Sequence, residues 1–176
     1  MSFDSAQAWL ARHAPDLRLI DHGTSTATVR EAAAALGVEE ARIAKTLALR
    51  FGDRIVLLLA AGDTRLDNAK GKAAFGHRPR MLPPDETLAV TGHPVGGVCP
   101  FGLATPLPIY CDESLRAFDT VFPAAGSLTS SVELAPARLA ALVGAEWTDV
   151  CTRREDESLQ AAAETQPLVP SGAQSA

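Results

Sequence analysis

A chain of 176 residues with 47% hydrophobic and 21% charged side chains has the composition of a globular protein and the length of one domain around a single core. Its longest apolar run, residues 55–61, suits a buried strand and falls far short of the roughly 20 residues that a membrane-spanning helix needs. A net charge of −5 argues against indiscriminate adhesion to nucleic acid and leaves room only for a local basic patch.

The first residues carry no basic stretch followed by an apolar one, so a cytoplasmic location is expected, with no membrane partner. Phe3, Ala6, Trp9 and Leu10 recur at helical spacing until Pro15 stops the pattern. A short strand, LRLID, follows. Thr28 and Glu31 form a capping box at the head of TVREAAAALG, and Gly37 supplies its C-terminal stop. IAKTLALRF and RIVLLLAA, separated by Gly52 and Asp53, read as a β-hairpin whose second strand is apolar on both faces and therefore central. Leu66 to Phe75 reads as a helix interrupted by a glycine, and Glu86 to Val90 as a short helix. LPIYCD and DTVFPAAG read as strands on either side of a short ESLRAF helix. SSVELA is a further strand, Pro136 opens the helix PARLAALVG, and WTDVC closes the sheet. One domain over residues 1–151 and a disordered, charged and proline-containing tail over 152–176 are expected. Interleaved strands and helices imply a mixed α/β (α+β) sheet or an open barrel.

The segment Thr91 to Leu103, TGHPVGGVCPFGL, holds four glycines and two prolines, with apolar residues between them. That pattern fits an ordered loop whose bare backbone can approach a ligand and aim N–H groups at it. Its glycines match neither a Walker A loop nor a dinucleotide fingerprint. The three cysteines, Cys99, Cys111 and Cys151, have no metal-ligand or disulfide-framework spacing. Neither a metal nor an organic cofactor is expected. His93 near Cys99 raises a cysteine hydrolase as one alternative. Lys45 shares a strand face with Ile43, Leu47, Leu49 and Phe51, where a buried ammonium either snorkels or serves a site. Hydroxyls in AAGSLTSSVEL either satisfy a turn or line a polar pocket. Arg65, Lys70, Lys72, Arg78 and Arg80 form the one basic run, opposed only by Asp67. His13 and His22 carry no spacing signal, and His77 reads as a surface group.

Taken together, IAKTLAL, RIVLLLAAGDTRLDNAK, GHPVGGVCPFG and AAGSLTSSVELAP resemble the YbaK and prolyl-tRNA synthetase-associated (ProX-like) editing family, over roughly Leu17 to Val150. The resemblance implies a mixed sheet curled into a partial barrel with surrounding helices, and a free-standing deacylase that hydrolyses mischarged aminoacyl-tRNA, here tRNA-Pro carrying a small amino acid such as alanine or cysteine. It implies that Lys45 is the functional lysine, anchoring the terminal adenosine phosphate or polarising the carbonyl. The loop N–H groups around Gly96, Gly97 and Val98 would hold the oxyanion, with water activated by the substrate itself. His93, Cys99, Pro100 and Phe101 of the loop, and Gly126, Ser127, Ser130 and Ser131 of the second wall, would contact substrate. Cys99 stands where relatives usually carry serine, and Ser131 where some carry aspartate. The basic run Arg65, Lys70, Lys72, Arg78 and Arg80 would hold the tRNA acceptor end, with an aminoacyl-tRNA synthetase as a further partner. A noncatalytic module binding aminoacyl-tRNA or an amino acid is the other alternative.

Overall fold

A computed structural model describes residues 2–154. Its centre is the hairpin of β2 (Ile43–Phe51) and β3 (Arg54–Ala61), closed by Gly52 at φ +60° and held in register from Ala44↔Ala61 to Phe51↔Arg54. Consecutive Leu57, Leu58 and Leu59 on β3 are at most 1% exposed. Because successive side chains point to opposite faces, Leu58 packs with Leu49 and Phe51 while Leu57 packs with Ala48 and Val98. Each such burial contributes about 1.5–3 kcal/mol.

The strand order is mixed. β5 (Arg80–Met81) lies antiparallel to β2, and β6 (Ile109–Asp112) runs parallel to β3, followed by a parallel β9 (Glu146–Thr148). β7 (Phe122–Pro123) pairs parallel with the start of β2. Two short pairs complete the framework: β1 (Leu19–Asp21) with β8 (Ser130–Val132), and β4 (Thr64–Leu66) with β10 (Cys151–Arg153). The mixed α+β class expected from the sequence is what the structure shows.

Helices cover this sheet where the sequence patterning places them. α1 (Ser2–His13) buries Ala6 and Leu10 in the main core. α2 (Val29–Leu36) has the full Thr28–Glu31 capping box and a left-handed Gly37 cap. α3 (Asn68–Phe75) starts from the Asp67 side chain, which accepts the N–H groups of Ala69 and Lys70. α4 (Pro84–Thr91) leads into the glycine loop, and α5 (Pro136–Val143) begins on its proline as expected. No helix among the described residues is long and apolar enough to cross a membrane.

Three expectations need correction. The helix expected from Leu66 starts at Asn68, because residues 64–66 form β4 and Asp67 is committed to capping. WTDVC is two strands rather than one. The buried Asp112 carboxylate accepts the N–H groups of Val150 and Cys151, which turns the chain from β6 towards β4. The expected tail loses its first residues to the fold, since Thr152 and Arg153 pair with Arg65 and Thr64. The rest of that segment, from residue 155, lies outside the described residues.

Candidate active site

A cavity of about 340 Å³ opens between β2, α2, the glycine loop and the β1–β8 pair. One end is apolar, built by Val29, Ala32 and Leu36 of α2 with Ile43 and Phe122. Another wall is polar and carries His22, Thr46, Ser130 and Ser131. Met81 and Val95, 57% and 58% exposed, border it towards solvent.

Of IAKTLALRF, residues 43–48 border this space. Thr46 lies beside Leu59 across the hairpin and Ala48 beside Leu57. This face meets the glycine loop through Val98 and Phe101. The Thr46 hydroxyl is buried at the cavity with no hydrogen-bond partner among the described residues. An unpaired buried hydroxyl costs about 1–3 kcal/mol, and a polar ligand atom at this position would satisfy it.

Lys45 is one of residues 43–48 of β2 that border the cavity, but its ammonium is engaged by the turn that leads into β4. There it donates to the carbonyl of Gly62 at 3.3 Å and to that of Thr64. Burial lowers its pKa from the usual lysine value, and the neighbouring Asp63 and Asp112 carboxylates oppose that shift. The structure therefore does not bring the Lys45 amine to the glycine loop.

Within the loop, the glycines divide their duties. Gly92 caps α4. Gly102 lies so close to α1 that a Cβ there would stand 2.4 Å from the Ser5 carbonyl. Gly97 passes the Ser127 backbone, 3.1 Å from the same hypothetical atom, and spends its N–H on the Pro94 carbonyl. Gly96, at φ +92°, is the glycine that borders the cavity. Among the described residues neither the Gly96 nor the Val98 N–H has a backbone acceptor. Of the expected oxyanion donors, Gly96 and Val98 are available and Gly97 is not.

His93, Cys99, Pro100 and Phe101, expected to touch substrate, are buried behind this loop instead. His93 Nε2 lies 2.8 Å from the Phe101 carbonyl and 3.5 Å from Cys99 Sγ, which pins the loop from within. Burial lowers the His93 pKa and pushes the Cys99 thiol up to about 12. A fully buried neutral thiol behind the cavity wall does not serve as the nucleophile of a cysteine hydrolase. Phe101 packs on Trp9, with ring centroids 5.5 Å apart.

The serine segment is brought to the cavity through its strand. Gly126, at φ +87°, turns the chain into it, and Ser127 Oγ donates to Ser130 Oγ at 2.7 Å. Ser131 Oγ meets His22 Nε2 at 2.8 Å. His22 was without signal in the sequence because its partner lies 109 positions away. The β1–β8 pairing and the His22 N–H bond to the Thr129 carbonyl, at 2.8 Å, hold the two segments together.

The basic run does not form one surface of free cations. Lys70 is held by Asp149 at 2.8 Å and by the Cys151 carbonyl, and its pKa is raised chiefly by the Asp149 hydrogen bond. Arg65 lies in β4, while Lys72, Arg78 and Arg80 are exposed around α3 and β5.

Comparison with known proteins gives the family of the chain. The family model for the aminoacyl-tRNA editing domain matches residues 24–142. The uncharacterized protein YwhH of Bacillus subtilis (strain 168) is 45% identical over 153 residues, covering 86% of this chain and 98% of its own. A crystal structure described as a candidate trans-editing enzyme for prolyl tRNA synthetase superposes with a TM-score of 0.79 at 34% identity, covering 86% of this chain and 97% of that one. A proline–tRNA ligase of Solidesulfovibrio magneticus is 39% identical over 90 residues, half of this chain but only 15% of the ligase. The matched region spans every wall of the cavity except His22, and the chain belongs to the aminoacyl-tRNA editing domain family.

Proposed function

We infer that this protein is a trans-acting editing deacylase, working in the cytoplasm on the ester bond of a mischarged tRNA, with tRNA-Pro carrying a small amino acid such as alanine or cysteine as the expected substrate. The observation that carries this reading is the cavity itself: an apolar end, a wall of hydroxyls that includes the unpartnered Thr46, and two loop N–H groups without backbone acceptors. An aminoacyl ester is already activated, so orientation and oxyanion stabilisation supply most of what hydrolysis needs. The substrate carbonyl would lie against the N–H groups of Gly96 and Val98. The amino-acid side chain would enter the apolar end between α2 and Phe122, where a small closed volume rejects oversized residues. Lys45 would support this arrangement from behind, tying β2 to the turn before β4.

Replacing Thr46 with valine tests the site. The shape is kept and the hydroxyl removed, so deacylation is expected to fall about 10- to 100-fold for the loss of one transition-state hydrogen bond. Thermal stability should hold or rise slightly, because an unsatisfied buried group is gone. A variant with unchanged single-turnover deacylation would remove Thr46 from the site.

The acceptor stem would be held through its phosphates by Lys72, Arg78 and Arg80, and an aminoacyl-tRNA synthetase could present the substrate. Replacing Lys72, Arg78 and Arg80 with glutamine should make the dependence of tRNA binding on salt shallower, since each lost phosphate contact removes about one released counterion. An unchanged salt slope would place the tRNA elsewhere.

A further inference from the structure

The family resemblance implies that the substrate itself activates the attacking water; a base supplied by the protein is the other route for that proton. Among the described residues bordering the cavity there is no aspartate, glutamate or cysteine. Only His22 and Lys45 can exchange a proton there, and the Lys45 ammonium is engaged with the carbonyls of Gly62 and Thr64. Three buried groups outside the cavity lining are already engaged. Asp112 is buried and saturated by main-chain N–H groups, while His93 and Cys99 are sealed behind the loop.

We propose that His22 is the general base of the deacylation, taking the proton of the attacking water through the hydroxyl of Ser131. This rests on the deacylase reading above and adds to it a protein base. His22 Nε2 and Ser131 Oγ are 2.8 Å apart, and both residues border the cavity. Their backbones are fixed independently of any substrate. Ser131 is paired with Ile20 in the β1–β8 ladder and bridges to Ala124, and the His22 N–H is bonded to the Thr129 carbonyl. A histidine held at hydrogen-bond distance from a hydroxyl in a site is the arrangement that proton transfer requires.

In the resting state the Ser131 hydroxyl donates to Nε2. As the water oxygen bonds to the ester carbonyl carbon, its proton passes to Ser131 Oγ and the Ser131 proton passes to Nε2. The carbonyl π electrons move to the oxygen, which faces the Gly96 and Val98 N–H groups. When the carbonyl re-forms, the bond to the ribose oxygen breaks, and that oxygen receives the proton from Nε2 by the same relay. Ester and water become free amino acid and uncharged tRNA. The serine returns to its starting state without having been acylated.

The test is single-turnover deacylation by wild type, His22→Gln, His22→Ala and Ser131→Ala, with binding of a non-hydrolysable 3′-aminoacylamino-adenosine measured for each. Glutamine keeps a polar side chain at position 22 and cannot take up the proton. His22→Gln is expected to lose about 10²- to 10⁴-fold in rate, the usual contribution of a general base, while analogue affinity stays within about threefold. Added imidazole should restore His22→Ala by about tenfold or more and leave Ser131→Ala unaffected, since only the first lacks just the base. A His22→Gln rate within about threefold of wild type would overturn the proposal and leave the deacylase reading standing. So would a rate loss matched by an equal loss of analogue binding, or a burst with acyl-Ser131 accumulation. A wild-type protein that hydrolyses no aminoacyl-tRNA would overturn both.

Discussion

Replacing Asp112 with alanine is expected to lower the free energy of unfolding by about 3 kcal/mol or more, measured by chemical denaturation. The residue is 1% exposed, and its carboxylate accepts the N–H groups of Ser114 at 3.0 Å, Val150 at 2.9 Å and Cys151 at 3.1 Å. Alanine would leave the Ser114 N–H without its acceptor just after β6, and the Val150 and Cys151 N–H groups without theirs where the chain passes from β9 to β10. Each unpaired buried amide costs about 1–3 kcal/mol, so even the low end of that range sums to a large share of a domain's stability. The damage should spread to β4, whose partner strand begins at Cys151, and so to the Thr64 carbonyl that receives Lys45. A loss below about 1 kcal/mol would mean that water or a rearranged chain satisfies these amides, and that Asp112 is not the tie described here.

Gly96→Val should remove activity rather than stability as its main effect. At φ +92° a β-branched residue is strained by about 1–3 kcal/mol, and its Cβ would stand 3.1 Å from Ala27 Cβ and 3.2 Å from the Ala27 carbonyl. The loop would relieve this by moving away from Ala27, carrying the Gly96 and Val98 N–H groups with it. A displacement of about 1 Å in an oxyanion site costs on the order of 100-fold in rate, and that is the expected fall in single-turnover deacylation. Retention of full activity would show that the Gly96 backbone takes no part in holding the ester.

Much of this architecture was legible because local chemistry and tertiary packing agree. The Thr28–Glu31 box, the Gly52 hairpin turn and Pro136 each act within a few residues, and the structure contains all three. The family resemblance was carried by blocks whose order survives in the fold. What escaped was non-local. β4 and β10 are three residues each and are defined by pairing with one another across about 85 positions of sequence, so neither has a periodic pattern of its own. The division of WTDVC depends on a carboxylate 38 positions away.

The site was legible by segment and less so by side chain. Strand parity set Ile43, Lys45, Leu47, Leu49 and Phe51 on one face; Leu47, Leu49 and Phe51 do pack together, while Ile43 packs with Phe122 and Ala33 at the apolar end of the cavity. Residues 43–48, of both parities, border the cavity, and the Thr46 hydroxyl is buried there without a partner among the described residues. In the glycine loop, composition suggested backbone offered to a ligand. Three of its four glycines instead answer to protein: Gly92 to a helix end, Gly97 to Ser127 and Gly102 to α1. His22 illustrates the same limit, because a lone histidine in sequence acquires chemical meaning only when β1–β8 pairing sets it beside Ser131.

The most direct measurement is hydrolysis of a panel of aminoacyl-tRNAs by the wild-type chain: alanine, cysteine, serine and proline on tRNA-Pro, and alanine on a noncognate tRNA. The expected result is rapid release of one small mischarged amino acid, with Pro-tRNA-Pro spared and the release slowed on the order of 100-fold in Gly96→Val. Rates equal to the uncatalysed reaction for every member, with the analogue still bound in the cavity, would contradict catalysis and identify the chain as an aminoacyl-end binding module.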